Sequence, residues 1–276
     1  MDPLYKFIAD PSAVPFLLRG LIKLTPPAEL NDPSELTSNV IRDEVLKSRD
    51  RLRRDGYAEE DIINLRCQER LFQKLAPQFQ AVSVPATPAE ATALIQSAFY
   101  DNTGTLERLL NATVLEMSTK VGVFCVSRRY DSLPMWAHYA SNAAGLAVEF
   151  VGLEEVFCGD DTQVLSQPIA VKYDRDRVSV TFETKSHHSL FFSKFPDWSY
   201  EQEVRVVLPL ISCRRQTIGR RQIYISEIPR ACISRLILGW KMPNSVRRDI
   251  ESNVERLNSE VEIVAARFSH GRIELR

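Results

Sequence analysis

Hydrophobic and polar positions alternate with a period of two in a series of short runs, the spacing of half-buried β-strands. Leu4-Tyr-Lys-Phe-Ile8 comes first, with Tyr5 and Phe7 on one face and Leu4, Lys6 and Ile8 on the other. Residues 21–24, 122–127, 145–150, 169–173, 222–225, 233–238, 261–266 and 272–275 also read as strands. The longest spans 198–208, where alternation predicts Glu201, Glu203 and Arg205 on one face and Val204 and Val206 on the other.

Helical spacing takes over elsewhere. Residues 34–75 are charged and helical in pattern, broken near Gly56-Tyr57, and 89–120 resume after a proline-containing linker at 77–88. Further helices are predicted over 179–194 and 242–257, the latter with Pro243 in its first turn. Leu133–Ala140 fits one or two helical turns, with Ser132 as N-cap, Pro134 in the first turn and a glycine cap within 142–145. Trp136, Tyr139 and Ala140 then share a face and His138 is offset from it.

Composition narrows the class. The chain has 276 residues, 44% hydrophobic and 26% charged, as in an ordinary globular protein. Its formal charge of -1 gives no overall pull toward nucleic acid or anionic membrane. The five cysteines (67, 125, 158, 213, 232) form no CxxC and no zinc-type spacing with histidine, which predicts reduced thiols and no metal site. No apolar run reaches the ~18 residues of a membrane span. The first residues lack the blocks of a signal peptide, so the expectation is a cytoplasmic protein without a membrane partner.

The chemistry-bearing residues concentrate in a few places. The 194–209 stretch holds Lys194, Trp198, Tyr200, Glu201, Glu203 and Arg205. A carboxylate beside a second carboxylate and a cation is a place for a tuned acid or base; a solvated strand face with an ion pair gives the same residues. Five arginines (205, 214, 215, 220, 221) fall between Val204 and Ile225 with no carboxylate, either to hold a phosphate-bearing ligand or as a solvated loop. Lys6 either snorkels to the sheet edge or sits in a cleft. Asn31 lies in an Asn-Asp-Pro turn. His187 and His188 are adjacent, so they face different ways and form no i, i+4 metal pair. There is no Walker loop, GxGxxG, GxSxG or HExxH.

Four motifs occur together in order: Leu4-Tyr-Lys-Phe, the Leu-Thr-Pro-Pro-x-x-Leu-Asn-Asp-Pro turn (24–33), Met-Trp-Ala-His-Tyr-Ala (135–140) followed by Gly145-x-x-x-Glu149-Phe150, and Trp198-x-Tyr-Glu-x-Glu-x-Arg205. That set resembles a large prokaryotic family known as a domain of unknown function, often met near mobile elements and phage-defence genes. A second likeness is to ADP-ribosyltransferases, which carry a basic residue, a hydroxyl residue and a catalytic glutamate on three successive signature strands of a split sheet. Here that implies Lys6, then Ser127 with His138 and Tyr139, then Glu203. The Glu201-Gln-Glu203 pair is similar to their two-glutamate motif. A lysine at the first position and Arg128-Arg129 after Ser127 depart from the pattern.

The expectation is an α+β fold with a mixed, mostly antiparallel split sheet, one domain over 1–276 with 34–120 as a helical insertion or subdomain. The resemblance implies an ADP-ribosyltransferase-like or NAD-cleaving enzyme of defence or toxin type. Its catalytic residues would be Glu203, Glu201 and His138, with Tyr5, Lys6, Asn31, Ser127, Trp136, Tyr139 and Arg205 binding NAD. A nucleotide ligand and a protein or nucleic-acid acceptor follow as partners. Two other classes stand beside it: a nucleic-acid-directed, RNase-like enzyme with His138 as base, and a ligand-sensing module without chemistry.

Overall fold

The computed structural model describes residues 2–32, 42–58, 114–115, 117–158, 167–175, 178, 189–219, 221–258 and 260–276. Its strands and helices run β1 (Leu4–Ile8), α1 (Val14–Leu17), β2 (Leu21–Leu24), α2 (Arg42–Arg54), β3 (Val121–Ser127), α3 (Leu133–Tyr139), β4 (Leu146–Phe150), α4 (Leu153–Val156), β5 (Ile169–Ala170), β6 (Lys172–Tyr173), β7 (Ser193–Lys194), β8 (Glu203–Pro209), β9 (Arg214–Ile218), β10 (Arg221–Glu227), β11 (Ile233–Leu238), α5 (Asn244–Leu257), β12 (Glu262–Ser269) and β13 (Arg272–Leu275). The class is α+β, as the alternating runs predict.

One eight-stranded sheet has the order β13-β12-β11-β4-β1-β3-β8-β5. Its pairs are antiparallel except β11 with β12, whose parallel connection passes through α5. This agrees with the need of parallel neighbours for a crossover element. A smaller sheet has the order β2-β10-β9. The large sheet is continuous but narrows at its middle: β1 and β3 share only the Tyr5–Ser127 pair. Beyond it, β3 turns to Thr25, which exchanges two backbone hydrogen bonds with Val123 at 2.8 and 2.9 Å.

Strand alternation gives the large sheet two different faces. On one, Leu4, Phe124, Val126, Val148, Phe150, Val204 and Val206 pack with Leu17 and Leu18 after Val14, with Ile22 and Leu24 of β2, and with Ile250 and Val254 of α5. On the other, Tyr5, Phe7, Ala147 and Ile237 pack with Met135, Trp136 and Ala140 of the α3 segment. Phe7 and Trp136 meet edge to face at 5.3 Å, and Trp240 lies against Trp136 at 5.4 Å. Fully burying aromatic rings of this size contributes about 2–3 kcal/mol each.

Several predicted boundaries shift for local reasons. Residues 196–201 form a 3-10 helix opened by Pro196, and Gln202 is left-handed (φ 42°), so the predicted 198–208 strand begins only at Glu203. Within the predicted 179–194 helix, Leu190–Phe192 is 3-10 and 193–194 is strand; His187 and His188 lie outside the described residues. Pro243 is the N-cap of α5 rather than a first-turn residue. Ser132 is the N-cap of α3, but its hydroxyl makes no cap bond and donates to the Tyr200 carbonyl at 3.2 Å. No glycine caps that helix. Ser141, Asn142 and Ala143 all take positive φ (49°, 53°, 66°). Gly145 follows at a close approach instead: a Cβ there would sit 2.1 Å from the Ile8 carbonyl oxygen.

The chain divides into two compact units, one of residues 1–30, 120–173 and 194–276, the other of 31–119 and 174–193. The first contains the large sheet. In the second, α2 carries Arg51, Arg53 and Arg54 in its last turn, where cations complement the helix dipole; all three are exposed. Among the described residues, no helix is long and apolar enough to cross a membrane.

Candidate functional site

The start of β8 assembles the densest group of buried charges. Glu203 and Arg205 are two apart on the strand and therefore on one face. Arg205 Nε and Nη2 each donate to one Glu203 oxygen at 2.9 Å, a bidentate pair. Lys194, at the end of β7, donates through Nζ to Glu201 Oε2 at 2.8 Å and lies 3.1 Å from Glu203 Oε2. Tyr139, from the last turn of α3, donates its phenol to Glu201 Oε1. Side-chain exposures are 2% for Lys194, 4% for Glu201, 6% for Glu203 and 1% for Arg205. Two carboxylates thus face two cations with almost no water, and removing any one of the four strands a charge.

The two acids are tuned in opposite directions. Burial pushes both up. For Glu203 the Arg205 guanidinium and the Lys194 ammonium outweigh burial and hold the carboxyl down at about 2. For Glu201 burial wins: Lys194 and the Tyr139 hydroxyl pull down, Glu203 pushes up, and the net direction is upward. One acid is a fixed anion, and the other is the first to take a proton. Cys125, opposite Arg205 on β3, has its thiol pushed well up by burial and by the Glu203 carboxylate.

The register carries this chemistry across the sheet. Glu203 pairs with Ser127, and Ser127 with Tyr5, on adjacent strands in the order β8, β3, β1. Directly opposed residues share a face, so Tyr5, Ser127 and Glu203 form one row. Lys6 does not belong to it. It points to the opposite face, where its Nζ donates to the Cys125 carbonyl at 2.8 Å and lies 5.2 Å above the Phe124 ring. Lys6, expected to bind the ligand, is tied here to the β3 main chain. Ser127 is committed to the main chain: its hydroxyl reaches the Glu201 carbonyl at 2.6 Å and accepts from the Arg129 amide at 3.1 Å.

The row continues through Glu149 on β4, opposite Tyr5, to Arg235 on β11. Glu149 accepts from Ser234 Oγ at 2.7 Å and from Arg235 Nη1 at 3.4 Å. Burial, then the Glu149 carboxylate, raise the Tyr5 phenol far above its usual range, so it stays protonated. Asn31 falls in the other compact unit. Trp136, expected to stack on a ligand, is a core residue at 1% exposure, its indole N–H donating to the Tyr130 carbonyl at 2.6 Å. His138 is exposed, its ring 6.1 Å from Tyr200 and 6.5 Å from Tyr139.

A half-buried aromatic rim borders the acids. Trp198 and Tyr200 lie 6.2 Å apart at 35°, Tyr200 continues to His138, and Lys194 Nζ stands 5.1 Å over Trp198. Lys194 lies in the 194–209 stretch and Glu149 in the Gly145-x-x-x-Glu149-Phe150 motif, where neither carries an expected site role. Tyr173 was not singled out either; its hydroxyl accepts the Glu203 amide at 2.8 Å. Nothing local to Lys194 signals that it bridges the two glutamates; the turn at 196–201 does that. Among the described residues, no group of three or more His, Cys, Asp or Glu is arranged to hold a metal ion.

No curated protein and no solved structure matches the chain. A family model does match part of it, over residues 135–206. That span contains α3 from Met135 onward, β4 with Glu149, and the whole Lys194–Glu201–Glu203–Arg205 cluster, and leaves Tyr5 and Ser127 outside. The part of the molecule that holds the buried acids is therefore similar to a family described as "Protein of unknown function (DUF2971)".

Proposed function

We propose that the chain cleaves the nicotinamide–ribose bond of NAD and passes the ADP-ribosyl group to an acceptor. The observation that supports this reading is the single row Tyr5–Ser127–Glu203 on three adjacent strands. It is the strand order the ADP-ribosyltransferase likeness calls for, with Tyr5 in place of Lys6 at the first position.

Each residue then has a role that follows from its surroundings. Glu203, ionised and locked by Arg205, stabilises positive charge developing at the ribose C1′ as the C–N bond breaks and nicotinamide leaves with the bonding pair. Glu201, whose carboxyl is raised by burial, takes the proton that the acceptor loses on attacking C1′. Tyr139 and Lys194 orient Glu201. Trp198, Tyr200 and His138 offer ring faces to nicotinamide or adenine. Because the acids are covered, the ligand displaces Trp198 or Tyr200 to reach them.

The test is incubation with NAD, with and without candidate acceptors, following nicotinamide release. The wild type releases it, and Glu203→Gln falls by about 100-fold or more while keeping its near-UV circular dichroism. Equal release by both proteins, or none from the wild type with any acceptor, overturns the reading. The RNase-like alternative, with His138 as base and His187 or His188 as the second acid or base, has weaker support: His187 and His188 lie outside the described residues.

A further inference from the structure

The β9–β10 hairpin plays no part in the site above, yet its chemistry is distinctive. β9 is the edge of the smaller sheet, and β10 pairs with β2 only from Tyr224 to Glu227. The pairs beyond, Ile223 with Gln216, Gln222 with Thr217 and Arg221 with Ile218, form a two-stranded ribbon with no third strand among the described residues. Gly219 (φ 61°) lies in the turn at its tip. Three pairs at about 3.4 Å rise make a free ribbon of roughly 10 Å.

Among the described residues of β9 and β10, the exposed side chains other than Glu227 are cationic or uncharged polar. Gln216, Thr217, Arg221 and Gln222 are exposed on the free part, and Lys23, Arg214 and Arg215 at its base. Registered neighbours share a face, so Lys23, Ile225 and Arg214 lie together, with Arg221 on the same side four residues along. Arg215 lies on the other side with Tyr224, its guanidinium 5.8 Å from that ring. Cations therefore flank the ribbon on both faces. The only carboxylate of β9 and β10 is Glu227, at the end farthest from the tip, 3.9 Å from Arg214. Charged edge strands also discourage aggregation, but that need is met by either sign and asks nothing of glutamine or threonine.

We propose that this ribbon inserts into the major groove of B-form duplex DNA. A two-stranded ribbon fits a groove about 12 Å wide and about 8.5 Å deep. Gln216, Gln222, Thr217 and Arg221 have the donors and acceptors that read base edges there. Lys23, Arg214 and Arg215 reach the phosphate walls on either side. The major groove of A-form RNA is too deep and narrow for side chains to read, so the ribbon favours DNA. This inference does not depend on the NAD reading.

The experiment is fluorescence anisotropy of the full chain with a labelled duplex of about 20 base pairs across a salt titration. With Lys23, Arg214 and Arg215 on phosphates, log affinity falls against log salt with a slope of about −2.7, and Arg214→Ala/Arg215→Ala brings it to about −0.9. Arg214→Lys/Arg215→Lys keeps the original slope, which separates lost charge from lost fold. Thr217→Ala/Gln222→Ala keeps the slope and flattens preference among duplex sequences. No binding at about 50 mM salt overturns the proposal. So does an unchanged slope in the double alanine variant, equal affinity for duplex RNA or single strands, or competition by polyglutamate as strong as by DNA.

Discussion

Arg205 and Arg214 lie in one arginine-rich, acid-free run, and the fold puts them in opposite physical situations. Arg205 is 1% exposed and grips both oxygens of Glu203 at 2.9 Å. Arg214 is 57% exposed and stands 3.9 Å from a Glu227 that is itself 74% exposed. The first pair has given up hydration and holds only because its geometry is bidentate and a second cation stands beside it. The second is screened by water and salt and holds little. A run of like charge along a sequence is therefore not one functional unit: β8 turns one arginine inward while β9 and β10 present theirs to solvent.

Arg205→Met tests this contrast most severely. It leaves the Glu203 carboxylate buried with Lys194 alone, and a loss of about 3–5 kcal/mol is expected in urea unfolding. Acidification probes the same pair without mutation. A carboxyl depressed in the folded state contributes stability above its ordinary value and loses it as pH falls through the depressed one. Glu203 therefore destabilises the fold progressively from about pH 4.5 toward pH 2. The limiting slope is about 1.4 kcal/mol per pH unit, and a Glu203→Gln titration should be flatter over that window. Glu201 acts with the opposite sign: its raised carboxyl favours the folded state as it takes a proton. Tyr139→Phe is milder. It removes one charge-assisted hydrogen bond, about 1.5 kcal/mol, and moves Glu201 further up, which carboxylate NMR titration reads. Arg214→Met is the smallest, within about 0.5 kcal/mol in the same urea assay. A loss as large as that of Arg205→Met would erase the distinction.

The strands were legible where pattern and environment agree. β1 has alternating faces that both meet a core, and its bounds follow from the sequence alone. β11 and β13 are marked by the same alternation. β9 was not legible, because a polar edge strand carries no core stripe. The first half of the predicted 198–208 strand became a 3-10 turn because Pro196 starts one and Gln202 ends it left-handed, a choice that hydrophobic alternation does not encode. The site was half legible. Alternation separated Tyr5 from Lys6, but which of them shares a face with Glu203 depends on strand pairing across more than a hundred residues. The grouping of Glu201 with Glu203 was expected from a shared strand face, yet Lys194 and the turn before β8 bring it about.

Lys6 marks where the large sheet changes neighbours. A strand that leaves its partner ordinarily bares a carbonyl to the interior. Here an ammonium on a flexible stem fills that vacancy, so β3 is free to follow Thr25 on one side while keeping β8 on the other. A methionine at this position would match the length but not the donor. The fork between β1 and β3 would then have to admit water or close, and the row through Tyr5 and Ser127 would shift with it.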